Sequence, residues 1–320
     1  MNNLENKKKF KLFDMNRDGK GVDPGEDTTP NLKFFFKQLW RKLSKIVSLN
    51  IMMIFQIIPI IICLYLYFVA SPKTPSQYYP EFAALFGIQQ TSSNAVNVLN
   101  IGNLSFQFPF PAYDTYIYWV IGILIAVLVI TYGWQKVGSV YVTRGLVRGD
   151  SVFAFSDFFY AIKKNWKQGL LLGLIDCVIM FVLGYDFYFF LTSEPTGLTN
   201  FMYVMTVALI VMYILFRSYT YLMIITFNIK LGKVFKNALI FTVLGIKRNI
   251  MMLIGLVAVT AIAIVPIVLL LPVGLGVAIV LPLIYYLGVC EFVSVYAAYP
   301  VIKKYMIDPV PTSDSANNEE

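Results

Sequence analysis

The basic residues of this chain are concentrated on every second connector between six long apolar runs. The runs lie near residues 49–70, 116–135, 170–191, 201–227, 250–271 and 274–302. The connectors 1–48, 136–169, 228–249 and 303–320 carry 11, 6, 5 and 2 of the 26 Lys and Arg residues, whereas the alternate connectors carry one, Lys73. Basic residues are retained in the cytoplasm during insertion. The alternation therefore predicts six spans with both termini cytoplasmic.

The length of the runs sets the fold class. The first run, 49–70, has 22 residues and no charge. As a helix it would extend about 33 Å, enough for a hydrocarbon core of about 30 Å. Backbone amides find no water there, so such runs must be helical. With 58% hydrophobic residues, we expect an all-α polytopic protein of the plasma membrane. The predicted membrane domain is 49–302, preceded by a cytosolic segment, 1–48.

Three basic connectors end in stretches with an apolar stripe opposite a basic face. They lie at 31–47, around 155–167 and around 230–239. This pattern is typical of a helix lying in the membrane interface. The predicted cytoplasmic connectors carry 24 basic and 12 acidic residues. That excess favours contact with anionic inner-leaflet lipids, and nucleic acid is not expected as a partner.

An asparagine marks each point where a connector meets an outward span: Asn50, Asn165 (followed by Trp166) and Asn249. The first and third each begin the tetrapeptide Asn-Ile-Met-Met. The pattern predicts three repeats of an interfacial helix followed by a helical hairpin. All three enter the membrane from the same side, so the repeats would be parallel, unlike the inverted repeats of many transporters.

Segments outside the spans lead to further expectations. The outer loop 71–115 is rich in proline and aromatic residues, which predicts an ordered cap. Both a sugar-binding lid and ordinary packing with interfacial anchoring fit this composition. The tail 303–320 is polar and is predicted to be disordered.

Near the N-terminus, Asp14, Asn16 and Asp18 match the opening of a calcium-binding loop. The twelfth position of that loop, which should supply a bidentate glutamate, is Gly25. We therefore expect a turn-rich linker here rather than a metal site.

Four ionisable residues interrupt the apolar runs: Asp176, Asp186, Arg217 and Glu291. Arg217 and Glu291 lie at similar predicted depths, and Asp176 lies about 6 Å nearer the cytoplasm. We expect a buried cluster of Arg217 and Glu291 that can include Asp176, and we expect Asp186 near the outer rim. Such residues mark polar pathways or substrate sites, and they also form structural ion pairs. The sequence leaves both interpretations open.

The sequence offers no recognisable catalytic apparatus. There is no histidine, the commonest general base. The three cysteines lie in predicted spans, and neither a glycine-rich phosphate loop nor a catalytic set of side chains is recognisable. We expect neither enzymatic activity nor a cofactor.

Several short motifs resemble the YesL-like family of bacterial membrane proteins, a domain of unknown function. They are Gly19–Val22 followed by Phe34–Phe36, Asp157–Phe159 with Lys164–Gln168, and Lys236–Ala238 with Lys247–Asn249. The resemblance implies a polytopic protein of Gram-positive bacteria, often encoded near sugar-uptake transporters. We therefore expect an accessory or transport-related component of carbohydrate uptake, partnered by sugar-transport or regulatory proteins. The alternative is a scaffold or sensor that uses the basic interfacial helices.

Overall fold

The computed structural model describes residues 30–69, 115–270 and 277–308, and it is helical throughout these ranges apart from short connections. The helices are α1 (Leu32–Ile54), α2 (Ile57–Val69), α3 (Thr115–Arg148), α4 (Ala154–Lys164), α5 (Trp166–Thr192), α6 (Gly197–Thr226), α7 (Leu231–Leu244), α8 (Ile246–Leu270) and α9 (Val277–Ile302). A π-helical turn, Lys303–Ile307, follows. The prediction of an all-α protein is confirmed for these residues.

Five helices, α3, α5, α6, α8 and α9, are long and apolar enough to cross a membrane. The number becomes six if α1 and α2 together form one bent span. Much of their surface consists of exposed apolar side chains, such as Ile262, Val265 and Val268 on α8. Surfaces of this kind suit lipid, since lipid tails are as apolar as the side chains that face them.

The first predicted span, 49–70, is not one continuous helix. The amphipathic stretch and the start of the span together form α1, which ends at Ile54. The chain then bends by 43° before α2. Gln135 of α3 donates a hydrogen bond of 2.7 Å to the carbonyl of Met53 in the last turn of α1. The same carbonyl accepts from the backbone of Gln56 at 3.1 Å. A side chain of another helix therefore supports the bend.

The second span extends beyond its predicted end at residue 135. Helix α3 continues to Arg148, so most of the expected connector 136–169 is helical. The reason is tertiary packing, because Val137, Val140 and Leu146 are buried against other helices. Lys136 and Arg144 consequently lie on the α3 helix.

Helices α4 and α7 lie where two of the amphipathic patterns predict helices. In α4, Phe158 is buried, whereas Phe155 and Phe159 are exposed. The Phe158 ring packs against Gly138 of α3, where an added Cβ would lie 2.7 Å from the ring. One edge of α4 is therefore fixed to α3, and other apolar side chains remain on the surface.

We call one end of the bundle the basic end: it comprises α1, α4, α7 and the C-terminal ends of α3, α6 and α9. The largest fully buried side chains, including Tyr219, Tyr221 and Phe292, belong to this half. Side chains from neighbouring helices also bond the terminal carbonyls here. The side-chain amide of Gln38 in α1 donates a hydrogen bond of 2.8 Å to the carbonyl of Leu146 in α3. Arg144 donates 3.0 Å to the carbonyl of Ile225 in α6.

Helices α3 and α5 cross at glycines. Gly169 and Gly173 on α5 face Gly133 on α3, and a Cβ added to Gly133 would lie 2.7 Å from the Cα of Gly173. Small residues four positions apart let helix backbones approach closely in membranes. This close crossing brings α5 against α3 near the charged side chains described below.

The remaining expectations concern the chain ends and the outer loop. The π-helical turn extends to Ile307, so the helical region continues beyond the predicted start of the tail at 303. The calcium-loop-like residues Asp14, Asn16 and Asp18, the loop 71–114 and the tail beyond Asp308 lie outside the described residues.

Candidate functional site

Asp176 is the centre of a polar site between α5 and α6. Its side chain is 1% exposed, and its Oδ2 atom lies 2.8 Å from the Nε atom of Arg217. The hydroxyl groups of Tyr213 and Tyr221 donate to the two carboxylate oxygens, at 2.5 and 3.0 Å respectively. The three partners are spaced four residues apart on α6, which places them on one helix face. A buried carboxylate in this setting is both paired and hydrogen-bonded, as burial requires.

A second ion pair lies between α3 and α9. The Nζ atom of Lys136 donates a hydrogen bond of 2.5 Å to Oε2 of Glu291, whose side chain is 7% exposed. The guanidinium of Arg217 lies 5.4 Å from the ring centre of Tyr132, which precedes Lys136 by one helical turn. The two ion pairs are therefore neighbours. We call Lys136, Asp176, Arg217 and Glu291 the charge cluster.

The pairing within the charge cluster differs from the sequence expectation. Arg217 pairs with Asp176, and Glu291 pairs with Lys136, in place of the expected contact between Arg217 and Glu291. Lys136 was not expected in this cluster, because a basic residue at the end of an apolar run is typical of a connector rather than of a span. The regular spacing of Tyr213, Arg217 and Tyr221 on α6 is the sequence signal that could have indicated the partner of Asp176.

The charge cluster contains two acids and two bases. Charged groups are costly at membrane depth, and pairing reduces that cost. The helices α3, α5, α6 and α9 each supply one of the four charges. This arrangement can fix the relative register of the four helices, and it can also present polar groups to a ligand.

A groove of about 460 Å³ reaches one of these pairs. It lies between α5, α6 and α7 and contains Asp176, Arg217 and Lys236 among its lining residues. Its walls are otherwise largely apolar and aromatic: Leu172, Ile175, Ile179, Phe216, Phe235 and Leu239. The surface of the groove is therefore almost entirely apolar, with the ion pair of Asp176 and Arg217 and the exposed Lys236 among its lining residues.

Asp186 lies apart from the charge cluster. It is on α5, ten residues beyond Asp176, which corresponds to about 15 Å along a helix axis. Its side chain is half-buried. The structure thus separates Asp186 from the other three ionisable residues that the sequence singled out.

Asn249 joins three helices at the basic end. It is buried, donates 2.7 Å to the carbonyl of Thr242 in α7, and accepts 2.7 Å from the hydroxyl of Tyr219 in α6. It also donates to the carbonyl of Phe241 at 3.3 Å. The carbonyl of Phe241 also accepts from the backbone of Gly245 at 2.9 Å. Asn249, in the first turn of α8, thus supplies a donor to the last turn of α7, where carbonyls lack their usual helical partners.

The other two predicted asparagines have different partners. Asn50 connects α1 to α9: its amide donates 2.5 Å to the carbonyl of Leu283, and its carbonyl oxygen accepts 2.9 Å from the backbone of Gly288. Asn165 donates 3.1 Å to the carbonyl of Ala161 at the end of α4. At the start of α5, the carbonyl of Trp166 accepts 2.9 Å from the indole of Trp134. Asn50 and Asn249 thus form hydrogen bonds between helices, whereas Asn165 bonds the last turn of the helix that it follows.

These helices and the charges buried between them indicate a polytopic helical membrane protein. Residues 115–187 match the family model described as "Protein of unknown function, DUF624". The match covers α3, α4 and most of α5, about a quarter of the chain, and includes Lys136 and Asp176. It is consistent with the resemblance to the YesL-like family. No curated protein and no solved structure gives a significant match.

Proposed function

We propose that this chain is a plasma-membrane protein, with both termini in the cytoplasm, that acts as an accessory or transport-related component of carbohydrate uptake. The observation that carries the proposal is the groove between α5, α6 and α7, which reaches the ion pair of Asp176 and Arg217. In the orientation favoured by the basic connectors, this groove belongs to the cytoplasmic half.

The groove has the properties of a ligand site. Its volume of about 460 Å³ falls within the range of roughly 300–1,000 Å³ typical of small-molecule sites. Its apolar walls and its few polar groups also fit that description. The connection to sugars rests on the YesL-like resemblance, to which the match over residues 115–187 lends support.

The interfacial helices complete the proposed architecture. In this proposal, α1, α4 and α7 lie in the cytoplasmic interface, each introducing one helical hairpin, so that the chain consists of three parallel units. Supporting this, α4 and α7 each precede a long apolar helix after a break of one residue. The N-terminal part of α1 has the corresponding place before the first span.

A second candidate function is a membrane scaffold or sensor. It is favoured by the exposed surface of α4, where Phe155, Phe159 and Tyr160 lie beside the exposed Lys163 and Lys164. Aromatic and basic side chains together are suited to anionic lipid surfaces. Such a helix could also contact a cytosolic regulatory protein.

Substrate uptake in a deletion strain tests the leading proposal. The gene would be deleted in its own host, and uptake of a panel of labelled oligosaccharides measured. The strain would then be complemented with the wild type, with the charge-neutral double variant Asp176→Asn/Arg217→Gln, or with the control Glu194→Gln, whose exposed side chain lies between α5 and α6. We expect reduced uptake of at least one sugar, restored by the wild type and the control but not by the double variant. Unchanged uptake of every sugar would overturn the transport proposal and favour the scaffold.

A further inference from the structure

We propose that the groove between α5, α6 and α7 binds an anionic phospholipid. The lipid phosphate would contact Lys236 and Arg217, and an acyl chain would lie along the apolar wall. The lipid would occupy the same groove that carries the proposed role in sugar uptake. Lipid binding and sugar uptake are measured separately, so the failure of one proposal is distinguishable from the failure of the other.

The first argument is the supply of hydrogen-bond donors. Arg217 carries five N–H donors, and its Nε atom faces Asp176. Its terminal nitrogens have no hydrogen-bond acceptor among the residues that the structure describes. A phosphate group offers several acceptor oxygens, and Arg and Lys bind it through charge-assisted hydrogen bonds. Arg217 lines the groove, and its guanidinium also lies over the ring of Tyr132. In this proposal, a phosphate bound in the groove accepts from the terminal nitrogens.

The second argument is charge. The positive charge of Arg217 is balanced by Asp176, whereas the exposed Lys236 forms no ion pair with another described residue. The lining of the groove thus carries an excess of one positive charge. An anionic ligand would balance this excess, and a neutral ligand would leave it in place.

The third argument is the apolar wall. Leu172, Ile175 and Ile179 line the groove along α5, and Leu239 of α7 is 54% exposed. The rings of Phe216 and Phe235, 5.9 Å apart, connect α6 to α7 beside it. A free inorganic anion would leave this wall uncovered, whereas an acyl chain would cover it. The amphipathic helix α7 also sits at the basic end, and the cytoplasmic leaflet is rich in anionic lipids.

The test compares two lysines on the same helix. Lys236 and Lys233 are both exposed on α7, but the groove includes Lys236 and not Lys233. The full-length protein would be purified in a neutral detergent, and binding of phosphatidylglycerol and of phosphatidylcholine with the same acyl chains measured by native mass spectrometry. We expect phosphatidylglycerol to bind more tightly. We expect Lys236→Gln to weaken that binding about tenfold, the loss of one charge-assisted hydrogen bond, and Lys233→Gln to leave it unchanged.

A second pair of variants tests the apolar wall. Leu239→Trp would fill the groove and should reduce phosphatidylglycerol binding, whereas Leu244→Trp alters an equally exposed residue of α7 outside it. Both residues are on the surface, so neither change should prevent folding. Equal effects of the two lysine variants, or of the two tryptophan variants, would overturn the proposal. So would equal binding of the two lipids, or complete displacement of the lipid by millimolar inorganic phosphate, which would indicate a soluble anion site.

Discussion

The Nε atom of Arg217 lies 2.8 Å from Oδ2 of Asp176, and this contact joins α6 to α5 within the membrane domain. Tyr213 and Tyr221, one helical turn on either side of Arg217, bond the same carboxylate. All three side chains of α6 therefore contact the same buried carboxylate. Such an arrangement can hold the two helices in one register, and it places Arg217 in the lining of the groove.

Double-mutant cycles should distinguish the observed pairing from the one expected from sequence. Arg217→Gln and Asp176→Asn should each lower the temperature of unfolding in detergent, because each leaves a charge without its partner. The double variant should be more stable than the sum of the single effects predicts. Couplings between polar groups of membrane helices are about 1 kcal/mol, and we expect that order for Arg217 with Asp176 and for Lys136 with Glu291. A larger coupling between Arg217 and Glu291 than between Arg217 and Asp176 would contradict the structure.

The glycine crossing should be sensitive to a single methyl group. Gly173→Ala should destabilise the protein, since a Cβ there would lie 2.6 Å from the backbone nitrogen of Gly133. Gly184→Ala, on the same helix, should have no destabilising effect, because no atom lies within 4 Å of the added Cβ. Thermal unfolding of the two purified variants checks the expectation. If both variants unfold at the wild-type temperature, α3 and α5 do not cross at these glycines.

Asn249→Leu should lower stability because it removes the partners of buried groups. The carbonyl of Thr242 would lose its donor, and the hydroxyl of Tyr219 would lose its acceptor, whereas the carbonyl of Phe241 keeps the backbone donor of Gly245. Leaving buried polar groups unsatisfied costs about 1–3 kcal/mol each. The matched control is Asn200→Leu, an exposed residue near the start of α6. Chemical denaturation should show a loss for Asn249→Leu and little change for Asn200→Leu; equal losses would argue against the three-helix junction.

Cysteine labelling should establish the orientation. In a background with Cys63, Cys177 and Cys290 replaced by alanine, one cysteine would be introduced at Lys233 or at Glu194, both exposed. We expect a membrane-impermeant maleimide to label Glu194→Cys in intact cells and Lys233→Cys only after permeabilisation, since basic segments remain in the cytoplasm. The reverse pattern would place the basic end outside the cell and would overturn the proposed topology.

The local hydropathy pattern predicted most of the helices correctly but placed several of their ends wrongly. The apolar runs identified α5, α6, α8 and α9, because length and hydropathy are properties of a contiguous segment. The extension of α3 beyond residue 135 was missed since Lys136 and Arg144 are charged, and their charges are satisfied by Glu291 and by the end of α6. The sequence around a residue does not show which side chains of other helices it contacts.

The same contrast between local sequence pattern and tertiary contact applies to the candidate site. Asp176, Arg217 and Glu291 could be selected from sequence because a charge within an apolar run is conspicuous. Similar predicted depths favour a contact between Arg217 and Glu291, but depth along a helix carries no information on which face of which neighbouring helix a side chain contacts. The π turn at 303–307 likewise has no signal in the local pattern.

The sequence by itself determined that this chain is helical, that it carries apolar segments long enough to cross a membrane, and that four ionisable residues lie within them. These properties follow from the free-energy cost of exposing backbone polar groups and charges to lipid. That cost applies to each segment separately. Tertiary structure alone decided that Arg217 pairs with Asp176, that Lys136 joins Glu291, and that α5, α6 and α7 leave a groove beside the first pair. The physical reason is that pairing depends on how helix faces meet, and the glycine crossing of α3 with α5 helps to set those faces.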